Sequence, residues 1–388
     1  MRIFVLLSRF PYPLEKGDKL RAYHQIKELS KHHEIILCAL SDVEVDAESR
    51  KELEQYCSHV EVIRMSKGQI YWQMAMQFLT SLKPLQVAYF YNASAKAKIR
   101  ELIEEKKPDH LYCQLVRVTE YVKDLSIPKT LDYMDALGTG VERRIDRSPF
   151  YMRPLLSMEA RRLMRYEQEI HRHFDHLTVI SEQDRLLIGL DREITVVPNG
   201  VDLEAFKVRT ADKIYDLIFT GNMAYPPNVE TAVHLVRKIM PIIWKSRPEV
   251  TLALVGATPD PKVQALASDR VTVTGWVEDM SAYYAKGKVF IAPMSIGTGL
   301  QNKLLEAMAM NLPCITSNLV NNALGAQNRV SVLLGETPVQ YASLALSVLN
   351  DEGLSQKIAV NGFLHVSEKF TWKGTTDRLM VLMESGRA

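Results

Sequence analysis

The sequence predicts an α/β protein built from two doubly wound halves. Three observations carry this. Short apolar runs alternate with longer stretches of helical apolar spacing, the pattern of parallel strands joined by helices. The alternation runs through the first half, stops near 198–213, and starts again. The length of 388 residues, 47% of them hydrophobic and 24% charged, suits two ordinary globular cores at ~100–200 residues each.

Taken in order, the first half offers apolar runs at 3–7, 35–40, 60–63, 111–114, 130–132 and 177–180 as strands. Helical spacing over 20–31, 48–56 and 93–105 separates them. The second half opens with a strand at 215–220. Pro226-Pro227-Asn228 is a helix-start signal, and apolar spacing continues as one helix over 229–245. Strands follow at 252–255, 271–274, 289–293 and 314–316, with helices near 300–310, 339–349 and 354–368. The expected domains are therefore 1–198 and 199–370, with a terminal helical segment at 371–388.

Composition narrows the function. Lys+Arg at 48 and Asp+Glu at 46 give a net charge of +2, so a dedicated nucleic-acid binder is not expected. Cys38, Cys57, Cys113 and Cys314 are far apart and form no CxxC or CxH pair. Free, mostly buried thiols in a reducing compartment are expected, and no metal site. The apolar run at 3–7 is too short for a signal-peptide core, and no run approaches the ~18 residues of a membrane span. A cytoplasmic enzyme fits these bounds.

Open parallel sheets bind ligands beyond the carboxyl ends of their strands. The richest loop there is Ile296-Gly297-Thr298-Gly299-Leu300-Gln301-Asn302-Lys303-Leu304-Leu305-Glu306, which follows the strand at 289–293 and opens a helix. Gly297 and Gly299 allow a ligand close to the backbone. The first helical N–H groups suit a phosphate. Lys303 is a cation where the helix dipole disfavours one, and Glu306 shares its face. A carboxylate there can accept hydrogen bonds from a ribose diol. Taken alone, the loop reads equally as a glycine turn with a surface Lys–Glu pair.

In the first half, the loop over 11–21 contains Gly17, Lys19 and Arg21. Gly17 can admit a ligand, and Arg21 is placed to meet a phosphate or an anionic acceptor. The alternative is a pair of solvated charges on a helix turn. Asp132 and Asp135 end a strand and can bind acceptor hydroxyls or assist deprotonation, or else cap a helix. His171, His173 and His176 read as a helix end. Seven arginines (143, 144, 147, 153, 161, 162, 165) face only Asp146 and Glu159 and are interleaved with Phe150, Tyr151, Met152 and Leu155. This amphipathic basic segment, 143–165, and the aromatic stretch Tyr71-Trp72 to Phe78 are candidate contacts with an anionic membrane, or core-facing helices.

Several motifs now combine. Val197-Pro198-Asn199-Gly200-Val201-Asp202, Val289-Phe290-Ile291-Ala292-Pro293-Met294, Leu305-Glu306-Ala307-Met308-Ala309 and Pro313-Cys314-Ile315-Thr316 resemble, in order and spacing, the family-4 retaining glycosyltransferases. The resemblance spans essentially the whole chain and is strongest over 196–317. It implies the GT-B fold: two facing Rossmann-like domains with a cleft between them. It implies transfer of a hexose-type sugar from a nucleotide-diphosphate sugar to a glycan or lipid-linked glycan, without metal or other cofactor. Glu306 then holds the donor ribose, the loop Gly297, Thr298, Gly299, Leu300, Asn302 covers the diphosphate, and Gly275-Trp276-Val277 lies against the base.

Three departures stand out. The family's first glutamate falls on Thr298 or Gly297. Its strand-end Gly-Arg reads Gly221-Asn222, with no later lysine in that loop. The first-domain histidine position reads Asp132-Tyr133-Met134-Asp135. Lys303 is the nearest substitute for the missing cations, so Lys303, Asp135 and Arg21 are the expected catalytic residues, with Gly17, Gly221, Asn222, Trp276 and Val277 near the donor. Gly221-x-Met223-x-Tyr225-x-Pro227-Asn228 and Gln301-Asn302-Lys303-x-x-Glu306 resemble a bacterial exopolysaccharide-associated subgroup. In relatives a terminal helix like that over 373–384 returns to the first domain, which makes Trp372 an anchor. A nucleotide-sugar epimerase and a non-catalytic sugar-nucleotide binder remain as alternatives on the same fold.

Overall fold

In the computed structural model, which describes residues 1–146, 148–295 and 299–385, the strands form two parallel sheets. The first contains β1 (Arg2–Leu7), β2 (Glu34–Ser41), β3 (His59–Arg64), β4 (His110–Gln114), β5 (Lys129–Asp132), β6 (His176–Val179) and β7 (Thr195–Val196), in the order β3-β2-β1-β4-β5-β6-β7. The second contains β8 (Tyr215–Thr220), β9 (Leu252–Val255), β10 (Val271–Val273), β11 (Gly287–Ala292), β12 (Cys314–Thr316) and β13 (Leu333–Leu334), in the order β10-β9-β8-β11-β12-β13. This is the α/β doubly wound architecture expected of both halves. Chain contacts separate Met1–Pro198 with Thr375–Ala388 from Asn199–Gly374.

Both faces of each sheet are covered, which is why the strands read as unbroken apolar runs. In the first unit Ile3, Val5 and Leu7 pack with Tyr23, Ile26 and Leu29 on one face. Phe4 and Leu6 pack with Ile99, Val118 and Leu163 on the other. The terminal helix Trp372–Glu384 adds Leu379 and Met383 to the first of these cores. Each such burial is worth roughly 1.5–3 kcal/mol. All four cysteines are free and buried.

In each sheet the chain winds outward from its first strand, then crosses to that strand's other side. The crossing points are β1/β4 and β8/β11. Connections leave in opposite directions there, which opens a crevice at the carboxyl ends.

Two local features differ from the sequence reading. The single helix expected over 229–245 is instead Pro226–His234, a π-helical turn Leu235–Ile239, and Met240–Ser246. Pro241 has no N–H to donate, and its ring crowds the carbonyl a turn earlier, so the hydrogen-bond register shifts just before it. The strands β7 and β13 are two residues each, too short to show a period.

Candidate active site

The second unit builds its site at the β8/β11 crossing. β8 ends in Thr220 and Gly221. Gly221 has φ of 148°, and a Cβ there would lie 2.7 Å from Asn228 Nδ2 and 3.2 Å from Lys303 Nζ. Gly256, after β9, has φ of 147°, and its Cβ would fall 1.8 Å from the Gly221 carbonyl oxygen. Only glycines allow this approach.

Beyond β11 the chain enters the helix Asn302–Ala309. Leu304, Leu305, Ala307 and Met308 turn into the core, which leaves Lys303 and Glu306 on the remaining side, half-buried. Gln301, at the N-cap, offers no side-chain cap; its amide donates to the Gly299 carbonyl at 3.0 Å. The first-turn N–H groups therefore lack a side-chain cap.

Lys303 Nζ donates to Asn228 Oδ1 at 2.5 Å and lies 5.0 Å from the centre of the Phe219 ring. The Asn228 amide in turn donates to the Asn222 carbonyl at 2.8 Å. The ammonium is thus oriented by a neutral amide. Burial pulls it down to about 8, against the opposing pull of Glu306. Glu306 Oε2 accepts from the Tyr284 hydroxyl at 2.9 Å, and that phenol oxygen is 2.7 Å from Thr220 Oγ1. Burial raises the Glu306 carboxyl, while Tyr284 and Lys303 lower it. A cation suited to a phosphate therefore stands one turn before a carboxylate suited to a diol.

The other expected donor residues are placed as follows. Asn302 Oδ1 accepts from Asn199 Nδ2 at 3.2 Å. Asn222 is exposed and spends its Oδ1 on the Ala224 N–H at 2.9 Å. Gly299 faces open space, and Leu300 is buried. Trp276 is 72% exposed and Val277 half-buried on the loop after β10, two strands or roughly 10 Å across the sheet from β8. Gly297 and Thr298 lie outside the described residues.

In the first unit the expectation for Arg21 needs correction. Its side chain is 0% exposed, and Nε donates to Asp132 Oδ2 at 2.6 Å. The Tyr112 hydroxyl, 2.8 Å from the same oxygen and 2.7 Å from Gln25 Oε1, completes the group. The helix Gly17–Leu29 turns Arg21 and Gln25, one turn apart, toward the sheet. Arg21 and Asp132 therefore act on each other in the core and cannot reach a ligand. Asp135 follows Met134, whose φ is 64°, and the residue as a whole is exposed. Its dense surroundings and Asp184 push the carboxyl up to about 6, with Arg117 and Arg144 opposing. Gly17 is exposed and faces open space.

The segment 143–165 divides. Leu163 is core, while Phe150, Tyr151, Met152 and Leu155 are exposed; Arg147 lies outside the described residues. Tyr71 and Trp72 are also exposed. Among the described residues no helix is long and apolar enough to cross a membrane, and no cluster of His, Cys, Asp or Glu is arranged to hold a metal.

Sequence reasoning missed Tyr284, the Asn228 contact and Arg117. Tyr284 and Glu306 belong to different helices, and no local spacing links them.

Comparison with solved structures identifies the fold. The chain aligns with sucrose-phosphate synthase from Thermosynechococcus elongatus at TM-score 0.73 and 15% identity over 99% of each chain. It aligns with HepE of Anabaena, in complex with UDP and glucose, at 0.69 and 16% over 98% of this chain and 99% of that one. WaaG, a glycosyltransferase involved in lipopolysaccharide biosynthesis, gives 0.64 and 13% over 98% and 99%. The fold is GT-B.

Residues 215–351 match the family described as Glycosyl transferases group 1. The matched segment makes up most of the second unit, Asn199–Gly374. An uncharacterized 44.6 kDa protein in the cps region of Klebsiella pneumoniae is 23% identical over 400 residues, covering 96% of this chain and 97% of that one.

Proposed function

We propose that the chain is a retaining, metal-independent transferase. It moves a hexose-type sugar from a nucleoside-diphosphate sugar to a glycan or lipid-linked glycan acceptor, in bacterial surface or extracellular polysaccharide synthesis. One observation carries this reading: the Lys303 ammonium stands over the end of β8 at the crossing point of the second sheet, one turn before Glu306.

A departing diphosphate needs positive charge in a water-poor crevice. Lys303 supplies it from the chain itself, which supports a reaction without a metal. Glu306, held by Tyr284, accepts hydrogen bonds from the donor ribose. The acceptor hydroxyl attacks the anomeric carbon on the face the diphosphate leaves. The new C–O bond forms as the bond to the phosphate oxygen breaks, and the hydroxyl proton passes to that departing oxygen. The anomeric configuration is kept. The protein contributes position and charge. Asp135, whose carboxyl burial pushes up to about 6, is the first unit's candidate for binding an acceptor hydroxyl.

The UDP and glucose in HepE and the cps-region origin of the Klebsiella protein support the donor and pathway class. The exposed Phe150 and Tyr151, next to Arg153 at the start of an arginine-rich helix, support peripheral contact with an anionic membrane on the cytoplasmic side.

The test is a panel of nucleoside diphosphates and their sugars read by thermal shift. Transfer is then followed by NMR at the anomeric proton. One nucleotide should raise the melting temperature, and Lys303→Ala should slow turnover by orders of magnitude. Absence of any nucleotide shift, or an unimpaired Lys303→Ala enzyme, overturns the reading.

A further inference from the structure

The crossing point of the first sheet carries a charged group that the donor reading does not use. Arg9 follows β1, and Arg117 lies in the 3-10 turn Val116–Tyr121 that follows β4. Both guanidiniums lie over one aromatic ring, that of Phe90, with Cζ 5.8 Å and 5.3 Å from its centre. Two like charges are therefore gathered on a single buried platform.

Their partners are unequal. Arg9 Nη1 donates to Asp18 Oδ2 at 2.8 Å, so its charge is matched. Arg117 donates from Nε at 3.2 Å and Nη2 at 2.8 Å to one neutral acceptor, Gln86 Oε1. It is half-buried. Burial and the neighbouring Arg9 and Arg144 all disfavour its charge, while Asp18 and Asp135 favour it. Burial lowers Lys19, on the helix carrying Asp18; Lys16 and Arg9 lower it further, and Glu15 and Asp18 oppose them. The charges acting on Arg117 are thus Arg9 and Arg144 against Asp18 and Asp135, with Lys16, Lys19 and Glu15 nearby on the Asp18 side, and Asp18 is already engaged by Arg9. A half-buried cation beside like charge, with only an amide acceptor, is costly in the empty protein. The cost is offset when an oxyanion arrives, because bidentate guanidinium contacts to oxyanions are strong. The neighbouring Gly17 leaves open space, with no atom within 4 Å of where a Cβ would stand.

We infer that Arg9 and Arg117 form an anion subsite that binds a charged group of the acceptor. The acceptor is then anionic, either through the phosphate of a lipid-linked glycan or through the carboxylate of an acidic sugar. This rests on the transferase reading, in which the first unit takes the acceptor. Phe90 holds the two guanidiniums in place, and Gln86 orients Arg117 with its remaining donors available to the anion.

The experiment uses the full chain saturated with the nucleoside diphosphate that binds it, so that the donor region is filled. Inorganic pyrophosphate, glucuronate and glucose are then titrated calorimetrically. One of the two anions should bind and glucose should not. Arg117→Gln and Arg9→Gln should each weaken that binding by about tenfold or more, the worth of a charge-assisted contact, with nucleotide affinity unchanged. Arg117→Lys, which keeps the charge, should retain part of it, so loss of charge is separated from loss of fold. Pyrophosphate above glucuronate identifies the phosphate source, and the reverse identifies the acidic sugar. Equal binding of glucose, or anion binding unmoved by both glutamine variants, overturns the inference. Failure of every nucleotide to bind would instead remove the donor reading, and the same titration on the unliganded chain would still test the arginine pair.

Discussion

Replacing Lys303 by methionine should stabilise the protein while abolishing its response to nucleotide. The magnitude follows from the site. Burial pulls the ammonium from the usual lysine value of 10.5 to about 8. At ~1.4 kcal/mol per unit, carrying the charge at pH 7 costs at most roughly 3 kcal/mol. Methionine has a similar length and removes that cost, but Asn228 Oδ1 loses its donor, which costs about 1–2 kcal/mol. The net gain is about 1–2 kcal/mol, or a rise of ~2–8 °C in melting temperature for a domain of this size.

The pH dependence fixes the sign. The folded protein releases this proton near pH 8, while the unfolded chain holds it until about 10.5. Between those values the unfolded state binds more protons, so wild-type stability rises with pH. The advantage of Lys303→Met should therefore be full at pH 7 and shrink by pH 9.5. Calorimetric melts at both pH values, with and without the binding nucleotide, read all of this. A lower melting temperature than wild type at pH 7, or a retained nucleotide shift, would refute the reasoning.

Two further outcomes are expected. Gly221→Ala places a Cβ within 3.2 Å of the Lys303 ammonium, so nucleotide affinity should fall by about tenfold or more in a titration; unchanged affinity would show that the lysine position is not needed. Arg21→Met leaves Asp132 buried without its cation and should cost about 3–5 kcal/mol in urea unfolding, with nucleotide affinity kept; a loss of affinity at unchanged stability would restore Arg21 to a ligand role.

The sheets were legible because each strand is covered on both faces, so burial writes itself as an unbroken apolar run. Tyr215–Thr220 and Cys314–Thr316 match their runs end to end. The helix break at Pro241 was less legible, since the apolar spacing continues through it and the cause is one missing N–H. The placement of Lys303 and Glu306 on one side of the helix Asn302–Ala309 was readable because it follows from local spacing. Arg21 was misread because its meaning is not local. A charge one turn into a helix looks solvated until the fold brings Asp132, 111 residues away, against it. Arg117 has the same difficulty in reverse, for its significance lies in sharing the Phe90 ring with Arg9.

In the second unit the loop after β8 brings no cation of its own, and Lys303 reaches the end of β8 from a different element. The loop from Gly221 to Asn228 keeps no charge of its own; Asn222 closes its own turn, and Asn228 presents an amide oxygen to Lys303. A neutral acceptor suits this task. It fixes the direction of the ammonium without cancelling its charge, whereas a carboxylate in the same place would form an internal ion pair and compete with the phosphate. Glu306, one turn on, attracts the Lys303 ammonium and accepts from Tyr284 through its Oε2. On the transferase reading proposed above, the amide at 228 orients the Lys303 ammonium toward a phosphate, and the phenol at 284 positions Glu306 for the ribose.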